Sequence, residues 1–336
     1  MHHKAMIKFA IAGAVALALV SGKANAEADT VRLSHGYGML YLPLMVIRDQ
    51  QLIEKNAKKM GLGDVKTTWA TLDGGNVIND AMLAGALDIA GIGVPGFLTL
   101  WAKARDNPQI EVRGLTGMSS SSTFLMTRNP AIKRLADFTD KDRIAVPGIK
   151  TSLPAVLLHM AVAKELGDAN YAKLDPITIG LAHPDALAVM LSGKGEINSH
   201  MASPPFSYVE AAQPGLHRVF NSVDVLGNIT LDMTFSTRRF VEANPKLTAA
   251  FVAAMQEACD LIARDKRRAA QIYNDVAKVK QPVEETLKIL EDPNSKFSAA
   301  PEGTMRYAEF MARVGTIKAK PASWRDYFFA TIPSGS

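Results

Sequence analysis

One cysteine stands among 336 residues. Cys259 has no partner in its own chain, so an intramolecular disulfide, a C-x-x-C redox pair and a cysteine zinc site are all excluded. It falls on an apolar stripe with Phe251, Met255 and Ile262 at helical spacing, which reads as a packing position. The seven histidines show no H-x-H, H-x-x-x-H or H-E-x-x-H spacing, so no metal site is expected. There is no G-x-S-x-G elbow, no G-x-x-x-x-G-K-[ST] loop and no EF-hand loop. Nothing therefore supports an enzyme, and no cofactor is expected. Charge of one sign is scarcely in surplus: 38 basic residues face 33 acidic ones. That bias is too small to argue for nucleic acid, and Lys266-Arg267-Arg268, beside Asp260 and Asp265, reads as a solvated helix face. Beyond residue 26 no run is both long and uncharged enough to span a bilayer.

The first residues carry the clearest signal. Lys4 and Lys8 precede an uncharged run over residues 9–20, and Ala24-Asn25-Ala26 offers small residues at both positions of an A-x-A cleavage site. A signal peptide cleaved after Ala26 is expected, with export across a bacterial-type inner membrane to the periplasm. No cysteine follows the run, so a lipid anchor is not supported. Cleavage removes Lys4, Lys8 and Lys23 and lowers the formal charge from +5. The remaining chain suffices for one large domain or two ordinary ones, and a soluble monomer is expected.

What organises the rest is a resemblance of the chain to itself. Met82-Leu83-Ala84-Gly85-Ala86-Leu87-Asp88-Ile89 parallels Met190-Leu191-Ser192-Gly193-Lys194-Gly195-Glu196-Ile197. Each reads as a helix end, a glycine stop, an acid and an apolar strand. Upstream, each copy has a strand (31–33; 143–146), a loop, and a helix with proline in its first turn (43–60 with Pro43; 153–166 with Pro154). A second strand follows in each (65–70; 177–181), then a turn and a short helix. Strands alternating with helices predict a mostly parallel sheet in each copy, covered on both faces. Two α/β lobes are expected. The small, polar segment 116–123 and the alternating segment 229–236 are where the chain should cross between lobes, as hinges, although the serine run reads equally as a mobile loop. Residues 239–327 read as successive helices that pack back on the first lobe.

Ligands of α/β sheets bind beyond the C-terminal ends of the strands. The candidate ligand-binding residues are therefore His35, Gly36, Tyr37, Asp73, Gly74 and Gly93 from the first copy. The second copy offers Lys150, Thr151, Ser152, His183, Asp185, His200 and Ser203. Gly148 to Ser152 joins a strand to a helix, and Thr151 and Ser152 are good N-caps. That loop either holds an anion at the helix start or merely caps its helix. The three histidines either hydrogen-bond a ligand or are structural.

Several stretches together resemble a known family: the leader, a strand ending in a glycine-rich turn, the L-x-x-G-x-x-D-I-A-G-x-G run from Leu83 to Gly93, and Lys133-Arg134-Leu135-Ala136-Asp137-Phe138 before Ile144-Ala145-Val146-Pro147. They are similar to the nitrate/sulfonate/taurine-type periplasmic solute-binding proteins of ABC transporters, which also include thiamine-precursor binders. The resemblance covers residues 31–245. It implies a type II periplasmic binding fold, with a signal peptide over 1–26, a first lobe over 27–118, a second over 119–226, and a return to the first over 227–336. It implies a ligand cleft between the lobes and, as partners, a membrane permease with a cytoplasmic ATPase. It also implies a small anionic solute, its negative group near Lys150, Thr151 and Ser152. The segment His200-Met201-Ala202-Ser203-Pro204-Pro205-Phe206 departs from the Trp-Asp-Pro-Tyr-like residues of sulfonate binders, so an aromatic or heterocyclic carboxylate fits as well. A thiamine-pyrimidine synthase-type enzyme and a periplasmic sensor partner share the fold and remain the rival readings.

Overall fold

The computed structural model describes residues 26–330. The expected leader lies outside them except for Ala26. Among the described residues eleven strands run in chain order: β1 Thr30–His35, β2 Lys66–Thr71, β3 Ile89–Gly93, β4 Val112–Ser120, β5 Phe124–Thr127, β6 Ile144–Val146, β7 Thr178–Gly180, β8 Ser199–Ala202, β9 His217–Asn221, β10 Asp232–Thr237 and β11 Lys296–Phe297. They form two sheets, β11-β4-β10-β3-β1-β2 and β7-β6-β8-β5-β9.

The internal repeat appears as one topology used twice. In the first sheet β1 pairs in parallel with β2 and β3, and β10 runs antiparallel between β3 and β4. In the second, β6 pairs in parallel with β7 and β8, and β5 runs antiparallel between β8 and β9. Each sheet thus takes its antiparallel strand from the stretch of chain that has just left the other. The passages are short, at 121–123 and 227–231. Residues 116–120, expected in a polar crossing, instead belong to β4 and are buried; Thr116 and Thr234 bond through their hydroxyls at 2.7 Å.

The central strands IAGIG and IAV are buried throughout, as a sheet covered on both faces requires. The segment around β10 was expected to be half-buried. It is instead a central strand with five of its six residues buried, because helices cover the face its alternation assigned to solvent. The helix predicted over 43–60 is two helices, Leu42–Gln50 and Leu52–Lys59, divided at Gln51 in the left-handed conformation. The break lets Leu52, Ile53 and Ala57 enter the core against the long helix Pro245–Arg264. Cys259 is buried on that helix, and burial pushes its thiol up to about 12. Phe97 and Phe235 meet at 5.5 Å and Tyr327 closes on Phe97 at 6.2 Å, fixing the first lobe's interior. Not every C-terminal helix stays with that lobe: Met305–Arg313 reaches the second, where Phe310 meets Tyr171 edge-on at 6.2 Å and Arg313 donates to Asp168 at 2.5 Å.

Candidate functional site

The segments following β1, β2, β6, β7 and β8, and the end of β3, converge on one narrow cavity. This is the strand-end position that α/β topology favours for a ligand. Tyr37, Asp73, Gly74, Gly93, Thr151, Ser152, His183 and Ser203, all expected from sequence, line it. Tyr41 and Asp232, which sequence reasoning passed over, line it too.

Glycines let the two lobes close on each other. The Met39 N–H donates to the Pro204 carbonyl at 2.8 Å, a backbone bond from lobe to lobe. Beside it Gly38 has φ 101°, and a Cβ there would sit 2.7 Å from that same carbonyl oxygen. A Cβ on Gly74 would approach the Pro147 oxygen to 3.0 Å, and one on Gly93 would meet the Leu153 Cβ at 2.6 Å. Real Cβ atoms do not tolerate the shorter of these contacts, so Gly38 and Gly93 let the lobes approach closely, and Gly93 faces the cavity as well.

The electrostatics of the cavity are acidic. Asp232 is 2 % exposed, and burial, with the charge of Asp73, pushes its carboxyl up to about 8. Burial pushes Asp73 up to about 6, against the pull of backbone N–H groups of His183 and Gly74. Each keeps an Oδ2 without a hydrogen-bond partner. Burial and the same two carboxylates hold the Tyr41 phenol well above its usual range. Lysine and arginine are absent from the lining.

Behind His183 runs a buried polar chain. Its Nδ1 lies 2.8 Å from His200 Nε2, and His200 Nδ1 lies 2.7 Å from Glu210 Oε1. Burial drives His200 down to about 3 and His183 well below the usual imidazole range, and lifts Glu210 to about 8. All three groups are therefore favoured in their uncharged forms. The acid O–H of Glu210 then donates to His200, His200 donates to His183, and His183 brings no positive charge to the cavity. Its ring is stacked on Phe206 at 5.2 Å, which fixes its plane.

Five expected residues lie elsewhere. His35 is buried, its Nδ1–H donating to the Gly36 carbonyl at 2.9 Å and its ring tilted against Trp69. Gly36 makes room for the Tyr41 ring, which a Cβ would meet at 2.6 Å. Lys150 takes a left-handed backbone, and its Nζ lies 3.9 Å from Asp175. Asp185 is exposed on the first turn of the helix His183–Ser192. His200 stands a layer behind His183. The helix start at Leu153 is also poorer in donors than the sequence suggested. Pro154 has no N–H, and the Ala155 amide is taken by Ser152 Oγ at 3.4 Å. Ser152 is a helix cap.

One signal could have exposed Asp232: it is the only charged residue in the 229–236 segment, on the polar side of an alternating strand. The model of the NMT1-like family matches residues 24–276, most of the chain. The chain belongs to the NMT1-like family. No curated protein matches this NMT1-like chain. Among solved structures, the alkanesulfonate-binding protein SsuA of Xanthomonas axonopodis, bound to MOPS, is 17% identical with a TM-score of 0.68, over 88% of this chain and 96% of its own. The periplasmic nitrate-binding protein NrtA of Synechocystis is 15% identical with a TM-score of 0.68, over 90% and 84%. A Candida albicans gene product with the generic periplasmic binding protein fold is 12% identical with a TM-score of 0.68, over 91% and 98%. These likenesses establish the fold: this NMT1-like chain has the periplasmic binding protein fold, as its sequence led one to expect.

Proposed function

We propose that the chain is the exported solute-binding component of an ABC importer, capturing a small solute reversibly and presenting it to a membrane permease. The observation that carries this reading is the cavity shared by the strand ends of both lobes, which two short passages of chain connect and the helix Met305–Arg313 also touches. Such a cleft can shut on a ligand and reopen without breaking covalent structure. Family membership and the periplasmic binding proteins among its structural neighbours point the same way. The sequence of the first 26 residues supports export, and among the described residues no helix is long and apolar enough to cross a membrane.

The neighbours' names speak of sulfonates and nitrate, and an anion was the expectation from sequence. The lining speaks against carrying that over. It holds two carboxylates and no lysine or arginine, its histidine is uncharged, and the helix start meant for the anion is capped from within. Capture of a solute is therefore kept and its negative charge is not.

The test is a thermal-shift screen of residues 27–336 with small solutes of either charge, followed by small-angle scattering on any stabiliser. A ligand that binds only the folded protein raises its melting temperature by mass action. The expected outcome is at least one saturable stabiliser, recovered unchanged, that shrinks the radius of gyration. Chemical conversion of that solute would favour the enzyme reading instead.

A further inference from the structure

We infer that the cleft selects a small organic cation with two or more N–H donors, an alkylammonium or amidinium, held between the carboxylates of Asp73 and Asp232. The inference rests on the reading of the chain as a solute-binding protein and deepens it.

Three observations carry it. First, the two acids are brought to one cavity from distant parts of the chain, one after β2 and one at the start of β10, and neither is paired with a cation among the described residues. Buried carboxylates without ion partners are costly, and proteins rarely keep them without use. Second, each acid retains an oxygen with no hydrogen-bond partner, and Asp232 is almost wholly shielded from solvent. Two N–H groups of one ligand would satisfy both. Thr151 Oγ1 is likewise unpartnered on the opposite lobe, an acceptor for a third. Third, the place where this lobe would welcome an anion is already taken. The first amide of the helix His183–Ser192 pulls on the Asp73 carboxyl, so the protein's own acid faces that helix start across the seam. An incoming anion would meet Asp73 there. A cation would join Asp73 and the helix in one arrangement of alternating charge, with the Tyr37 and Tyr41 rings supplying faces that attract positive charge.

The test uses residues 27–336 as wild type, Asp232→Asn and Asp73→Asn. The probes are butylammonium, benzamidinium and guanidinium, set against butanesulfonate and benzoate, with calorimetry for affinity and scattering for closure. At least one cation is expected to bind saturably and compact the wild type, with both substitutions weakening it at least tenfold. Asp232→Asn keeps the side-chain volume and removes a buried acid, so the unliganded variant should melt no lower than wild type, and lost affinity is then not lost folding. Should Asp232→Asn fail to fold, Asp73→Asn carries the same comparison. Saturable binding and compaction by an anion, undiminished in either variant, overturns the cation assignment and leaves the solute-binding reading standing. Cation binding that ignores both substitutions overturns the assignment of the residues. If no probe of either charge binds or compacts the protein, the cation assignment falls with these probes and the solute-binding reading itself is weakened.

Discussion

Asp73 and Asp232 titrate near 6 and 8 in the folded chain, whereas an unfolded aspartate titrates near about 4. A carboxylate whose folded pKa is raised holds its proton in the native state after the unfolded chain has released it. Native stability is then greatest below about pH 4 as far as these groups are concerned, and falls as pH rises to about 8. Glu210, raised to about 8 by burial, acts in the same direction. His35, His183 and His200, lowered by burial, act in the opposite direction below about pH 6.5, so the acids are read above that: the unliganded protein should melt lower at pH 8.5 than at pH 7. Asp232→Asn should flatten that slope and raise the melting temperature at pH 8.5, on the order of 1–3 kcal/mol for removing a buried, unpaired carboxylate. A slope of opposite sign over this window would contradict the acidic lining. Binding gives a second check. A cation stabilises the ionised acids, so its binding at pH 7 should release protons, seen as a calorimetric enthalpy that varies with the ionisation heat of the buffer.

At the scale of elements, strand order, proline-led helices and strand-end turns were legible because each is written in adjacent residues: Pro43 and Pro154 open helices, and Gly85 and Gly193 end them. What could not be read was direction. Lys150 and Thr151 are neighbours in a loop expected to face the ligand, yet the left-handed backbone at Lys150 sends its ammonium toward Asp175 while Thr151 lines the cavity. Nor could sequence bring Asp232 beside Asp73, because that meeting depends on β10 returning from the second lobe to lie against β3. Ser152 also changes role. Ser152→Ala should cost about 1 kcal/mol of stability through the lost cap, measured by urea unfolding, with little effect on affinity. Gly93 offers the converse. Its φ of −61° suits any residue, so Gly93→Ala adds no backbone strain, and its methyl would meet Leu153 of the opposite lobe at 2.6 Å and Asp232 Oδ1 at 3.3 Å. Affinity is expected to fall tenfold or more in calorimetry, while urea unfolding of the unliganded variant changes by under about 1 kcal/mol. Unchanged affinity would mean that the seam yields more readily than its contacts suggest.

Across the whole molecule, the two short passages at 121–123 and 227–231 are where closure would bend the chain, and scattering with and without a bound solute should report it as two radii. The bond from the Met39 amide to the Pro204 carbonyl adds something that no cavity residue can. It is made of backbone, neither residue lines the cavity, and it would be lost if the lobes parted. Its contribution is therefore common to every solute the protein accepts. Affinity is the intrinsic grip of the cavity scaled by the fraction of molecules able to shut, and the latch enters only through that fraction. Loosening it should multiply the dissociation constants of all accepted solutes by one shared factor and leave their ranking untouched. Substitutions at Asp73 or Asp232 should reorder that ranking. For the proposed binding protein, selectivity and overall sensitivity are thus separately adjustable: one resides in a handful of side chains, the other in a strip of glycines, and the second could drift without touching the first.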